Sequence, residues 1–344
     1  MRFTTSRRQF LTGAFATACG LAVCSPLTAL AQKAGSWDLA QIDGREYVSV
    51  ESVKNFYNFA KMTRSGSRVV LENSKVEMRL TLGGNECLMN NVKFVFSHAV
   101  AERGGKAYIS RIDLAKLIDP VLRPNFISNA GDFRTVILDP GHGGKDAGAT
   151  NSIGTEAGYN LKLALNVKKL LEAKGFKVIL TRSSDVYLSL QQRVDLANAV
   201  RENAVFISLH FNSGGTNARG IETFTLSPPG VSHYGSNYKP SDSMARAGNE
   251  HDSANIALAT ALHGCMLRRL GKNTFDRGIK RARFSVLSGV RHPAILFEGG
   301  FMSHPYEAKL IDNPNYQQAL ANGVIDAITK YRYAVGRSTQ QAKQ

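Results

Sequence analysis

From residue 135 to residue 332 the sequence alternates short apolar runs with longer segments of helical period. Residues 135–138, 176–180, 205–209, 220–226 and 294–297 are short and rich in β-branched and aromatic side chains, which predicts strands. Residues 156–174, 189–202, 253–270 and 315–332 predict helices. In the first of these Leu163, Val167, Leu170 and Leu171 fall at i, i+4, i+7 and i+8, and Gly175 supplies the stop. Such alternation builds an α/β fold: an open, mostly parallel sheet with helices on both faces. Ligands of these sheets gather at the C-terminal ends of the strands.

The first 31 residues read as a leader, not a fold element. Arg2, Arg7 and Arg8 make a basic start with no acid before Asp38. A weakly apolar run from Phe10 to Leu30 follows, and Ala29-Leu30-Ala31 is a small-x-small cleavage site. Ser6-Arg7-Arg8-Gln9-Phe10-Leu11 resembles a twin-arginine export signal, which implies delivery to the periplasm or cell envelope. Gly13, Gly20 and Pro26 interrupt the run, so no stable membrane anchor is expected. No later stretch is apolar for the ~20 residues a spanning helix needs.

Residues 36–122 carry an internal echo. Gly44-Arg45-Glu46-Tyr47-Val48-Ser49 returns as Gly105-Lys106-Ala107-Tyr108-Ile109-Ser110, and each copy leads into a helix-like segment. Residues 68–72, 76–80 and 92–96 between them predict short strands. The pattern resembles the small β-rich domain first named from copper amine oxidase N-termini. No metal cluster accompanies it, so the resemblance implies wall docking or spacing and not copper chemistry. Residues 123–133 read as a linker, 134–332 as the catalytic domain and 333–344 as a polar tail. Outside the leader only Cys87 and Cys265 remain. They fall in different domains, which predicts two buried free thiols.

Polar residues follow the predicted strands of the catalytic domain. Asp139-Pro140-Gly141-His142-Gly143-Gly144 follows 135–138, His210-Phe211-Asn212-Ser213 follows 205–209, and Glu298-Gly299-Gly300-Phe301 follows 294–297. Glu156 opens the helix after the first loop. If the strands are neighbours, two histidines and two glutamates meet in one crevice. Hydrolytic zinc takes three His/Glu ligands and keeps a fourth position for water, and His142, Glu156 and His210 fit that set. The bound water falls to a pKa of about 7. A carboxylate must then take its proton and deliver it to the leaving amine, and Glu298 is the remaining candidate. Singly, each residue has a duller role: a hydrogen-bonded histidine, a first-turn helix charge, a salt-bridge partner, a turn.

Together these segments resemble the zinc-dependent N-acetylmuramoyl-L-alanine amidases of the type-3 family. Ile137-Leu138-Asp139-Pro140-Gly141-His142-Gly143-Gly144-Lys145-Asp146, with Gly148-Ala149, is similar to the opening motif. Leu180-Thr181-Arg182-Ser183-Ser184-Asp185, Leu190-Gln191-Gln192-Arg193 and Ala197-Asn198 are similar to the middle motif. Ser208-Leu209-His210-Phe211-Asn212 and Phe297-Glu298-Gly299-Gly300-Phe301-Met302-Ser303 resemble the two closing segments. The resemblance covers residues 134–332. It implies Zn2+ on His142, Glu156 and His210, catalysis by Glu298, and cleavage of the amide between N-acetylmuramic acid and L-alanine in peptidoglycan. Phe211, Gly300 and His304 depart from the usual pattern without touching those four residues.

The formal net charge of +16 suits an acidic wall polymer. The basic residues are scattered and lack an aromatic platform, so no nucleic acid is expected as a partner. Two other readings stand beside the amidase. One is an exported zinc amidase or peptidase acting on another wall peptide bond. The other is a non-catalytic wall-binding protein, which would need no such set of His and Glu. A protein activator is left open. Residues 227–252 are long and polar and follow the predicted strand 220–226, whose end is expected near the crevice. Glu250, His251 and Asp252 at the far end of this segment are therefore candidates for gating the open zinc position.

Overall fold

The computed structural model describes residues 37–127 and 129–341, so the expected export signal lies outside the described residues. The chain forms two compact units: one ends at Leu122, and the other combines Val92–Val95 with the chain from Arg123 onward.

In the first unit the strands are β1 (Leu39–Ile42), β2 (Arg45–Ser49), β3 (Lys61–Ser65), β4 (Arg68–Glu72), β5 (Glu77–Thr81), β6 (Glu86–Met89), β8 (Ala101–Arg103) and β9 (Lys106–Ser110); β7 (Val92–Val95) belongs to the second. The strands β3 to β6 form an antiparallel meander, and a separate sheet runs β1-β2-β9-β8. The repeated sequence explains the second sheet. Its two copies pair with each other, Tyr47 opposite Ser110, Val48 opposite Ile109 and Ser49 opposite Tyr108, about a local twofold. Both strands end in a serine that caps the helix after it: Ser49 accepts from the Ser52 N–H and Ser110 from that of Asp113. The first cap opens α1 (Val50–Phe56). The second opens a helical stretch that passes through a π turn at Leu114–Ile118 and ends at Leu122.

In the second unit the sheet order is β11 (Lys177–Leu180), β10 (Thr135–Pro140), β12 (Ala204–Asn212), β15 (Ala294–Phe301), β13 (Ile221–Leu226), β14 (Asp276–Ala282), β7. The first four strands are parallel. β13 is antiparallel to β15, and β14 and β7 follow β13's direction. The helices are α2 (Glu156–Glu172), α3 (Leu190–Asn198), α4 (Asp252–Leu270), α5 (Ser285–Gly289), α6 (Pro305–Asp312) and α7 (Pro314–Gln341). Buried Leu163, Val167 and Leu171 give α2 its apolar stripe, and a Ser189/Gln192 capping box starts α3. One face of the sheet is covered by α2, α4 and α7, with α7 packed on both of the others. On the other face α3 and α5 bury Val194, Ala197, Val286 and Leu287 against Ile137, Phe206, Phe224 and Leu296. The mixed α/β architecture with helices on both faces is the one expected.

Four details differ from expectation. Residues 92–95 pair with β14 and belong to the second unit. A strand at 276–282 has no counterpart in the sequence reading, because Lys280 and Arg281 break its apolar pattern while being buried and paired. The final helix continues to Gln341, so 333–341 are not a tail. β12 and β15 also run further, which places His210 and Glu298 inside strands. Among the described residues no helix is long and apolar enough to cross a membrane. Cys87 and Cys265 are buried free thiols, one in each unit.

Candidate metal and catalytic centre

Side chains alternate across a sheet, so the face that carries Ile137, Phe206, Leu296 and Phe224 also carries Asp139, Ser208, His210, Glu298 and Glu222. His210 is directly opposite Glu298, and Glu298 opposite Glu222. The result is a row of polar side chains across three strands, at the C-terminal ends of β12 and β15.

His142 joins the row from the loop after β10. It holds a left-handed backbone, φ +60°, and its Nδ1 is 2.9 Å from Asp146 Oδ2. Two buried arginines clamp this loop. The Arg193 guanidinium donates to the carbonyls of Pro140 at 2.7 Å and His142 at 2.6 Å, and pairs with the buried Asp139 carboxylate at 2.7 Å. Arg182 donates to the carbonyls of Pro140, Gly141 and Ala157 at 2.8–2.9 Å. Asp139 also accepts from Thr181 and Ser208. The middle-motif residues thus build the floor on which His142 stands.

Glu156, the first residue of α2, reaches both histidines. Its Oε1 is 3.2 Å from His142 Nε2 and 2.9 Å from His210 Nδ1, and its Oε2 accepts from the Ala149 N–H at 2.9 Å. Burial opposes ionisation of Glu156, but the bonds to His142 and His210, the His210 charge and the Ala149 N–H outweigh it and hold the carboxyl well below the usual range. The hydrogen bond to Glu156 raises His142. One ligand atom from each of the three residues lies within 4.8 Å of the other two, the only such group among the described residues. Glycines make the room. A Cβ on Gly141 would overlap the His210 ring, and one on Gly148 would lie 2.7 Å from both Glu156 Oε2 and His142 Cδ2. Glu298 is buried beside them, and its Oε2 has no hydrogen-bond partner. Burial, then the charges of Glu156 and Glu222, hold its proton well above the usual carboxylate range.

Two imidazoles and a carboxylate converging at this spacing fit a tetrahedral divalent cation with an open position, and Asp146 on His142 is the outer carboxylate such a site uses.

The gating candidates lie elsewhere. β13 is antiparallel to β15, so it begins near Glu298 and ends at the opposite edge of the sheet. There the Glu250 carbonyl accepts from Asn129, His251 Nε2 meets the Arg291 carbonyl at 3.1 Å, and Asn249 bonds Asp252 at 2.9 Å. Asn255, on the next turn of α4, holds Ala294, the first residue of β15. Glu250, His251 and Asp252 therefore cannot reach the open position, which corrects that expectation. The part of the segment that approaches the row is Tyr234, whose ring lies 4.4 Å from Lys280 Nζ.

Sequence reasoning also missed Glu222. Its carboxylate is buried, accepts from Lys280 Nζ at 2.7 Å and pairs with Arg277. The signal was a single acid near the start of a strand of β-branched and aromatic residues.

Residues 136–330, more than half of the chain, match the model of a family described as N-acetylmuramoyl-L-alanine amidase. The chain is 30% identical over 217 residues to the N-acetylmuramoyl-L-alanine amidase AmiC of Neisseria meningitidis serogroup B, covering 57% of this chain and 52% of that one. It is 28% identical over 256 residues to AmiA of Escherichia coli K12, covering 68% and 88%. Among solved structures, the catalytic domain of CwlV, an N-acetylmuramoyl-L-alanine amidase from Bacillus (Paenibacillus) polymyxa var. colistinus, is 32% identical with a TM-score of 0.48, covering 58% of this chain and 98% of that one. With the family's residues carried in order on one sheet, the chain belongs to the N-acetylmuramoyl-L-alanine amidase family.

Proposed function

We propose that the protein is an exported, zinc-dependent N-acetylmuramoyl-L-alanine amidase of the cell envelope, cutting the amide between N-acetylmuramic acid and L-alanine of peptidoglycan. The observation that carries this reading is the convergence of His142, Glu156 and His210 beside a buried carboxyl with an unpartnered oxygen. In this proposal His142, Glu156 and His210 hold the metal. Zinc, when bound, supplies Lewis acidity to the scissile carbonyl and lowers the pKa of water. Glu298 accepts the water's proton on Oε2 and returns it to the leaving alanine nitrogen. Asp146 fixes the His142 ring, and the Arg182 and Arg193 clamp holds its backbone. The first unit serves as a wall-docking or spacer domain. The leader, of twin-arginine type, directs export.

His142→Ala and His210→Ala are expected to lose both zinc, read by metal analysis, and release of soluble peptides from purified sacculi. Glu298→Gln is expected to keep zinc and fold and lose release by about 10²–10⁴-fold. Full release by either histidine variant would overturn the ligand assignment. Products cut at a peptide–peptide bond, seen by mass analysis, would transfer the reaction to another wall amide.

A further inference from the structure

The polar row does not end at Glu298. Across β13 it continues through Glu222 to Lys280 and Arg277 on β14, where the charges do not balance. Glu222 is one carboxylate with two cations: Lys280 Nζ on Oε2 at 2.7 Å and the Arg277 Nε on Oε1. The Lys280 side chain is 4% exposed and neutralises the acid from inside; Arg277 is 36% exposed and turns its positive charge outward.

A second guanidinium adds to the surplus. Arg219 is exposed and lies 3.8 Å over the ring of Phe275, while Arg277 lies 4.7 Å over that of Phe301. Stacking fixes the plane of a guanidinium and leaves its N–H edges free to donate. Among the described residues Arg219 makes no ion pair. Glu307, which feels the Arg219 charge, spends its two oxygens on the N–H groups of Gly220 and Phe301, at 2.8 Å each. Gly220, φ +106°, lets the backbone press on Phe275, since a Cβ there would overlap the Phe275 carbonyl. Two oriented, under-neutralised guanidinium groups beside a catalytic cleft are a recognition site for a carboxylate, which Arg binds through paired N–H groups.

We propose that Arg219 and Arg277 form a subsite for a carboxylate on the peptide arm of the substrate, and so set which stem peptides are cut. The proposal rests on the amidase reading and adds the direction of the substrate: peptide arm toward β13 and β14, glycan arm toward β10. β14 is two strand spacings from β15, or ~10 Å. An extended peptide covers that span in about three residues, so the acidic group belongs to the second or third residue beyond the cut amide.

The test uses two muramoyl peptides of identical sequence, the acidic group of the second residue being a free carboxylate in one and a primary amide in the other. With the zinc-loaded full chain, kcat/KM is expected to favour the carboxylate about tenfold or more, the scale of a charge-assisted hydrogen bond. Arg219→Gln and Arg277→Gln should each shrink that ratio several-fold, and Arg219→Lys should keep part of it. Calorimetric binding of the same two compounds to the zinc-free chain should follow the same order, and is independent of turnover. A wild-type ratio near one, or ratios unchanged in both Gln variants, would overturn the subsite. If neither compound is cut, the amidase reading fails, and equal affinities for both compounds would then overturn the subsite as well.

Discussion

At Glu298 a carboxyl group is largely taken out of water with one oxygen, Oε2, left without a partner. A buried unpaired oxygen costs stability, and in the proposed mechanism the cost is borne where the chemistry needs a proton acceptor. Burial and the Glu156 and Glu222 charges raise this carboxyl above its ordinary value, so the folded chain holds the proton more tightly than the unfolded one. The sign follows from linkage: stability is lost as pH rises from the ordinary carboxylate range through the folded-state value. A glutamine titrates nowhere in this range. With zinc removed by a chelator, Glu298→Gln is therefore expected to melt higher than wild type at pH 7, with the gap closing near pH 4. Equal melting temperatures at pH 7 would show that Glu298 ionises there without cost. Gly148 gives a second test at this scale. With φ +65° and room for a Cβ only 2.7 Å from Glu156 and His142, Gly148→Ala should lower zinc affinity about 10–100-fold in a calorimetric titration, as displaced supporting contacts do.

Between residues and fold, the elements show what a sequence carries openly and what it hides. The loop after β10 and the entry to α2 were legible, because an apolar run, a glycine-rich turn and a first-turn acid each leave a local mark. The direction of β13 was less open, since an apolar run reads the same both ways. A signal existed nonetheless. Only residues 213–220 join β12 to β13, with no helix between, and a parallel neighbour needs a crossover of a dozen or more residues. Reading that length would have moved Glu250, His251 and Asp252 away from the proposed metal site. His251→Ala should accordingly leave zinc affinity and peptide release unchanged, a loss of either pointing to coupling across the sheet. β14 was hidden for another reason: its Lys280 charge is cancelled by Glu222 some 58 residues earlier, and no window along the chain spans that pair. The Arg193–Asp139 pair is of the same kind, 54 residues apart and almost wholly buried. Arg193→Met would leave Asp139 charged and unpaired and free three carbonyl and carboxylate contacts beneath His142. A loss of about 3–5 kcal/mol is expected in denaturant unfolding, together with weaker zinc binding. Stability unchanged within ~1 kcal/mol would mean that Thr181 and Ser208 suffice for Asp139.

On the scale of the whole molecule, the division into two units does not follow the order of the chain. Val92–Val95 is embedded in the first unit's sequence yet completes the second unit's sheet. Phe94 is fully buried opposite Ile279, and the Lys93 N–H donates to Asp276 Oδ2 at 2.8 Å. Asp276 in turn meets His263 Nε2 at 2.9 Å, and His263 Nδ1 meets Thr223 Oγ1 at 2.9 Å, so β7 is tied through β14 to α4 and β13. Gly278, φ +91°, lets the two strands approach, since a Cβ there would lie 3.1 Å from the Lys93 side chain. A fragment that begins at residue 123 would keep every proposed metal ligand and still lose this strand. β14 would become an exposed edge next to the proposed carboxylate subsite, with its apolar contact to Phe94 opened to water. The two units need separate probes, because one transition cannot be assumed for both. Zinc release to a chromogenic chelator reports the second unit, and Trp37, the single tryptophan, reports the first. The fragment should release zinc at a lower denaturant concentration than the full chain. Phe94→Ala in the full chain should move the zinc-release midpoint the same way, by the ~3–5 kcal/mol of a lost buried aromatic, with a smaller effect on the Trp37 transition. Coincident zinc-release midpoints for fragment and full chain would show that the catalytic sheet stands without its seventh strand.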